Sequence, residues 1–102
     1  MTLRFFEEAE TELIEAIRWY ARDDVAVAAD LARAVKERVA QAAALQGAGR
    51  LETRAPERFE LRWYGVERFP YSILVGTVSG ERVVVAVAHE RRRPSYWIDR
   101  LR

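Results

Sequence analysis

The sequence predicts an α+β fold: an N-terminal strand, an antiparallel helical hairpin packed on a mostly antiparallel sheet of about four strands, and a basic C-terminal tail. Three observations carry that prediction. Apolar residues recur at three- and four-residue steps through the first half, and the period changes to two from Arg58 onward. A third, the run Val83–Ala88, is apolar without interruption. The length of 102 residues suits one domain, 1–102, and no internal repeat or low-complexity tract is visible.

Thr2–Phe6 (TLRFF) is short and apolar-leaning and reads as an edge strand. From Glu7 to about Arg22 an amphipathic helix follows. Its stripe is Phe6, Ala9, Leu13, Ile17 and Tyr20, and Glu8, Thr11, Glu12, Glu15, Arg18 and Arg22 take the other side. Acids in the first turns complement the helix dipole. Asp23-Asp24 breaks the pattern and offers a capping carboxylate to a second helix, from about Val25 to Leu45. The second stripe is Ala28, Leu31, Ala32, Val35, Val39 and Ala42. Nine of the 21 residues in this span are alanine, which favours helix and lets a neighbour approach closely. So short a connection folds the two helices back on each other.

Gln46–Glu57, with Gly47, Gly49 and Pro56, reads as a loop. Beyond it Phe59, Leu61 and Trp63 alternate with Arg58, Glu60 and Arg62, a strand with one buried and one charged face. Tyr71–Val78 is the next strand, Ser79-Gly80 a tight hairpin turn, and Arg82–Ala88 the last strand. Burial of Val83–Ala88 on both faces places that strand inside the sheet.

Composition narrows the chemistry. There are no cysteines and one histidine, His89, so no disulfide, no thiolate nucleophile and no nitrogen–sulfur metal site is expected, nor any cofactor. The five glycines have no phosphate-loop spacing. No apolar run is long enough for a membrane span and no basic-then-apolar leader opens the chain, so a cytoplasmic protein is expected. The net charge of +1 hides an asymmetry: residues 1–49 carry −3 and residues 50–102 carry +4. Sixteen of the seventeen basic residues are arginine, whose planar fork of donors suits phosphate and carboxylate.

The most informative segment is AVAHERRRPSYW, residues 86–97. A buried strand ends at His89, Arg91, Arg92 and Arg93 come consecutively, Pro94 stops regular continuation, and Tyr96-Trp97 follow. Adjacent guanidiniums repel one another unless solvated or facing anions. One reading is a solvated exit from the sheet with the two aromatics packed back on it. The other is an anion-binding rim, in which arginines meet phosphate or carboxylate and aromatics stack on bases.

Together with the acidic helix EEAETELIEAIRWY (Glu7–Tyr20) and Arg68-Phe69-Pro70-Tyr71 leading into a strand, the segment His89–Trp97 resembles the RelE/ParE superfamily of type II toxin–antitoxin toxins. The likeness covers essentially the whole chain. It implies one of two activities. RelE-like members are metal-independent ribonucleases that cut messenger RNA on the ribosome, and ParE-like members poison DNA gyrase. Both are neutralised by a cognate antitoxin. A non-toxic member that only binds its antitoxin is a further alternative.

The residues favour the ParE branch. RNA cleavage without a metal needs a base, cations for the phosphorane-like transition state and an acid for the leaving oxygen. The ribonuclease branch is expected to place an arginine after the aromatic that opens the third strand and a basic residue just past the last strand. Here those positions are Ser72 and Glu90. If the chain is a ribonuclease, His89, Arg91 and Tyr96 are its catalytic candidates. The gyrase reading asks only for a binding surface, for which Arg91, Arg92, Arg93, Trp97 and Trp19 are the candidates. Trp19 lies off the apolar stripe of its helix and is expected at the surface, where tryptophan often anchors an interface.

Overall fold

The structure, a computed structural model, describes residues 3–101. Strand β1 (Arg4–Phe5) leads into helix α1 (Glu7–Ala21), and helix α2 (Val25–Ala44) returns antiparallel to it. Strands β2 (Arg50–Leu51), β3 (Leu61–Gly65), β4 (Tyr71–Val78) and β5 (Glu81–His89) follow, and a 3-10 turn at Ile98–Leu101 closes the chain. The sheet has five strands in the order β1-β5-β4-β3-β2; β1 runs parallel to β5 and the other pairs are antiparallel. The expected fold class is the observed one. The strand beyond the expected four is β2, inside the segment read as a loop. Of the N-terminal strand expected at Thr2–Phe6, Thr2 lies outside the described residues.

Local chemistry explains the hairpin. Asp24 caps α2, its Oδ1 accepting from the amides of Ala26 at 2.9 Å and Val27 at 3.4 Å. At the other end the Tyr64 hydroxyl lies 3.0 Å from the carbonyls of Leu45 and Gln46, and its one hydrogen is shared between these acceptors at the helix end. Leu31, Val35 and Val39 of α2 and Ala9 and Ala16 of α1 are buried against Tyr64, Ile73, Val75, Val84 and Val87 of the sheet. Each fully buried branched side chain contributes roughly 1.5–3 kcal/mol.

The opposite sheet face has its own core. Leu61, Leu74, Val83, Val85 and Ala86 pack with Trp97 and Leu101, and Trp63 meets Trp97 edge-to-face at 6.5 Å. Beyond the arginine run that ends at Arg93 the basic tail folds back as a cover and brings Arg100 with it. Ser95, with φ of 67°, takes the left-handed turn that reverses it. The alternating set Phe59, Leu61 and Trp63 belongs to this second core, not to the face under the helices.

A bulge in β5 serves both cores. Leu74 pairs with Ala86 and Val75 with Val84, so Val85 has no partner on β4. Consecutive Val85 and Ala86 thereby face the second core, while Val84 and Val87 face the helices. Past Val84, β1 no longer pairs with β5, and the outer edge of β5 needs other partners.

Candidate functional site

Those partners come from α1 and from the returning tail. The Val87 amide donates to Glu12 Oε1 at 3.0 Å, and Arg100 Nη1 donates to the Val85 carbonyl at 3.0 Å. Arg100 also grips Glu12 with both terminal nitrogens, at 2.8 and 3.0 Å, and the Tyr96 hydroxyl donates to Glu12 Oε2 at 2.7 Å. The Glu12 side chain is only 11% exposed. Sequence periodicity had assigned Glu12 to the solvent side of α1. The correction is physical: Glu12 turns inward because the bare edge of β5 supplies a donor and the tail supplies two more.

Burial alone would raise the Glu12 pKa. The hydrogen bonds from Arg100, Tyr96 and the Val87 amide, with the Arg100 charge, outweigh burial and hold it below the ordinary carboxylate value. The Tyr96 hydroxyl moves the other way. Burial, then the hydrogen bond to Glu12 and its charge, push its pKa well above the ordinary phenol value despite Arg100 and Arg92. The Arg92 guanidinium lies 3.9 Å from the centre of the Tyr96 ring, with Nη1 3.9 Å from Glu12.

His89 ends β5. Its ring meets Tyr71 edge-on at 5.1 Å, and its Nδ1 accepts the Arg91 backbone N–H at 3.0 Å. With Nδ1 occupied as an acceptor, the neutral imidazole carries its proton on Nε2 and presents a donor there.

His89, Arg92, Arg93 and Tyr96 line one surface depression of about 310 Å³, together with Ser72 of β4 and Trp63 of β3. Arg50, Glu52 and Arg54 line it as well, none of them anticipated. Their alternation in R-L-E-T-R is the one signal that could have shown them, and two residues of strand are too few to read. The Glu52 side chain, 1% exposed, accepts from Trp63 Nε1 at 2.8 Å and from the Arg54 amide at 2.6 Å, and pairs with the Arg54 guanidinium at 3.3 Å. Burial would raise its pKa, but these bonds and the Arg54 charge bring it below the ordinary value.

The remaining candidates lie apart. Arg91 is exposed and does not line the depression. Trp97, 1% exposed, borders the depression yet is a core residue, so its indole offers a partner almost no surface. Trp19 is 60% exposed on α1, with the Arg22 guanidinium 5.2 Å from its ring centre. Among the described residues no cluster of three or more His, Asp or Glu is placed to hold a metal ion, and no helix is long and apolar enough to cross a membrane.

A helical hairpin on a five-stranded sheet, with an arginine-rich rim where β5 ends, defines a small α+β module. Residues 3–94 match the family model for the ParE toxin of type II toxin–antitoxin systems, parDE, and the chain belongs to that family. No curated protein matches it.

Proposed function

We propose that residues 1–102 act in the cytoplasm as one toxin unit that arrests growth by binding DNA gyrase, and that a cognate antitoxin neutralises it. Membership of the ParE family supports the toxin role. The observation that favours binding over RNA cleavage is the engagement of both acid–base candidates. The Tyr96 hydroxyl donates its hydrogen bond to Glu12, and the His89 nitrogen without a hydrogen bond among the described residues is the one that bears hydrogen in the neutral ring. A general base needs a free lone pair within reach of the proton it abstracts. Trp19 and the run Arg91–Arg93 supply contact surface, and the basic half of the chain steers acidic partners toward it.

Pulse-labelling in a bacterial host after brief induction of this chain alone tests the reading. An early fall in DNA synthesis with filamenting cells, while amino-acid incorporation continues, is the expected result. An early fall in amino-acid incorporation with DNA synthesis intact would overturn it in favour of the ribosome and messenger RNA. No fall in either would point to a non-toxic, antitoxin-binding protein.

A further inference from the structure

The depression at the end of β5 has donors that nothing in the fold consumes. Arg50, from β2, and Arg93, beyond β5, make no side-chain hydrogen bond or ion pair among the described residues. Two carboxylates share the depression with its four arginines, leaving two positive charges in surplus. One of the two, Glu52, is already spent on Trp63 and Arg54. Ser72 adds a hydroxyl and His89 a ring whose neutral form carries its proton on Nε2.

We propose that this depression is a phosphoryl-binding site, with Arg50 and Arg93 as its two guanidinium arms and Ser72 and His89 as further donors. The donors come from β2, β4, the end of β5 and the segment after it, so they approach from several directions. A tetrahedral phosphoryl group accepts bonds in that way, whereas a planar carboxylate is best met by a single fork. A volume of about 310 Å³ lies at the small end of ligand sites and accommodates one nucleotide-sized group. The inference is independent of which macromolecule the toxin arrests.

Calorimetric titration of the full chain at low salt tests it with four probes: inorganic phosphate, adenosine 5′-monophosphate, a single-stranded hexanucleotide without terminal phosphates, and a polyglutamate peptide. Arg50→Ala and Arg93→Ala change exposed side chains and leave the fold intact, as circular dichroism would verify. Each is expected to weaken phosphate-bearing probes about tenfold, the effect of losing one charge-assisted bond of about 1.4 kcal/mol. Arg18→Ala, on α1, removes the same charge elsewhere and should leave affinity within about twofold. Preference for the monophosphate would assign the site to free nucleotides, and preference for the hexanucleotide would assign it to a nucleic-acid backbone; either supports the proposal. Three results would overturn it: equal weakening by Arg18→Ala, polyglutamate binding as tightly with the same arginine dependence, or no phosphate-bearing probe binding at about 10 mM.

Discussion

Glu12 and Arg100, 88 positions apart in the chain, form a two-pronged ion pair at 2.8 and 3.0 Å that joins α1 to the C-terminal turn across the uncovered edge of β5. The pair closes the sheet in two ways. It satisfies the Val87 amide and the Val85 carbonyl that β1 is too short to reach, and it holds Tyr96 and hence the segment bearing Trp97 over the second core. Charged side chains over a strand edge also keep that edge from pairing with another chain.

Replacing Glu12 by Ala should therefore cost stability well beyond one surface ion pair. It strands the Arg100 charge, the Tyr96 hydroxyl and the Val87 amide together. We expect a loss of about 3 kcal/mol, the lower range for breaking a buried pair, because the site is partly open to water. For a chain of this size that lowers the melting temperature by about 12–24 °C. Thermal unfolding followed by circular dichroism checks it; a shift of only a degree or two would mean that the pair contributes no more than a surface contact.

Acid should act through the same residue. The folded-state pKa of Glu12 is lowered, so its contribution is complete above the unfolded value of about 4.3 and is lost as pH falls through the folded value. Glu52 has the same sign. Tyr96 behaves oppositely: its raised folded pKa keeps it protonated when the unfolded chain ionises, so stability declines as pH rises above about 10. Denaturant melts across pH should show a plateau at neutral pH and a fall at each end. Glu12→Gln should flatten the acid limb, and an unchanged acid limb would exclude Glu12 as its source.

The sequence made the local elements legible and left the long-range ones hidden. Both helices lie within one residue of their expected ends, Asp24 caps α2 as its position suggests, and Tyr71–Val78 is β4 with the bounds that its pattern predicts. Period and capping are local, so these could be read. Glu12 could not, because its partners are a strand edge and a tail many residues away and its own helix period points it outward. Nor could the double use of the sheet be foreseen, because the bulge at Val85 that serves both faces leaves no trace in an unbroken apolar run. The depression was half visible: His89 and the arginine run stood out, whereas Arg50 and Arg54 lay in a segment that reads as loop.

Gly76 of β4 packs closely against Leu61 at the start of β3. A Cβ there would collide with the Leu61 side chain and lie 2.7 Å from the Glu60 carbonyl, so the backbone of β3 would have to shift. Gly76→Ala is expected to destabilise by about 1–3 kcal/mol through overpacking. By contrast, Gly47 has open space, and Gly47→Ala should change the melting temperature little. A comparison of the two melts decides it: equal stability would show that β3 adjusts freely.

Tyr96→Phe and His89→Ala separate stability from activity. The first removes the hydroxyl that donates to Glu12 and should cost about 1.5–3 kcal/mol, the range for a hydrogen bond to a charged group. The second removes the Nδ1 acceptor of the Arg91 amide and the edge contact with Tyr71, both near the surface, and should cost about 1 kcal/mol. Neither loss should abolish growth inhibition by a protein that acts as a binder, provided that antitoxin binding confirms a folded chain. If either folded variant loses toxicity completely, the group removed is taking part in chemistry, and RNA cleavage becomes the reading to pursue. Retained toxicity in both places the action on the exposed arginines and on Trp19, where Trp19→Ala should weaken partner binding without moving the melting temperature.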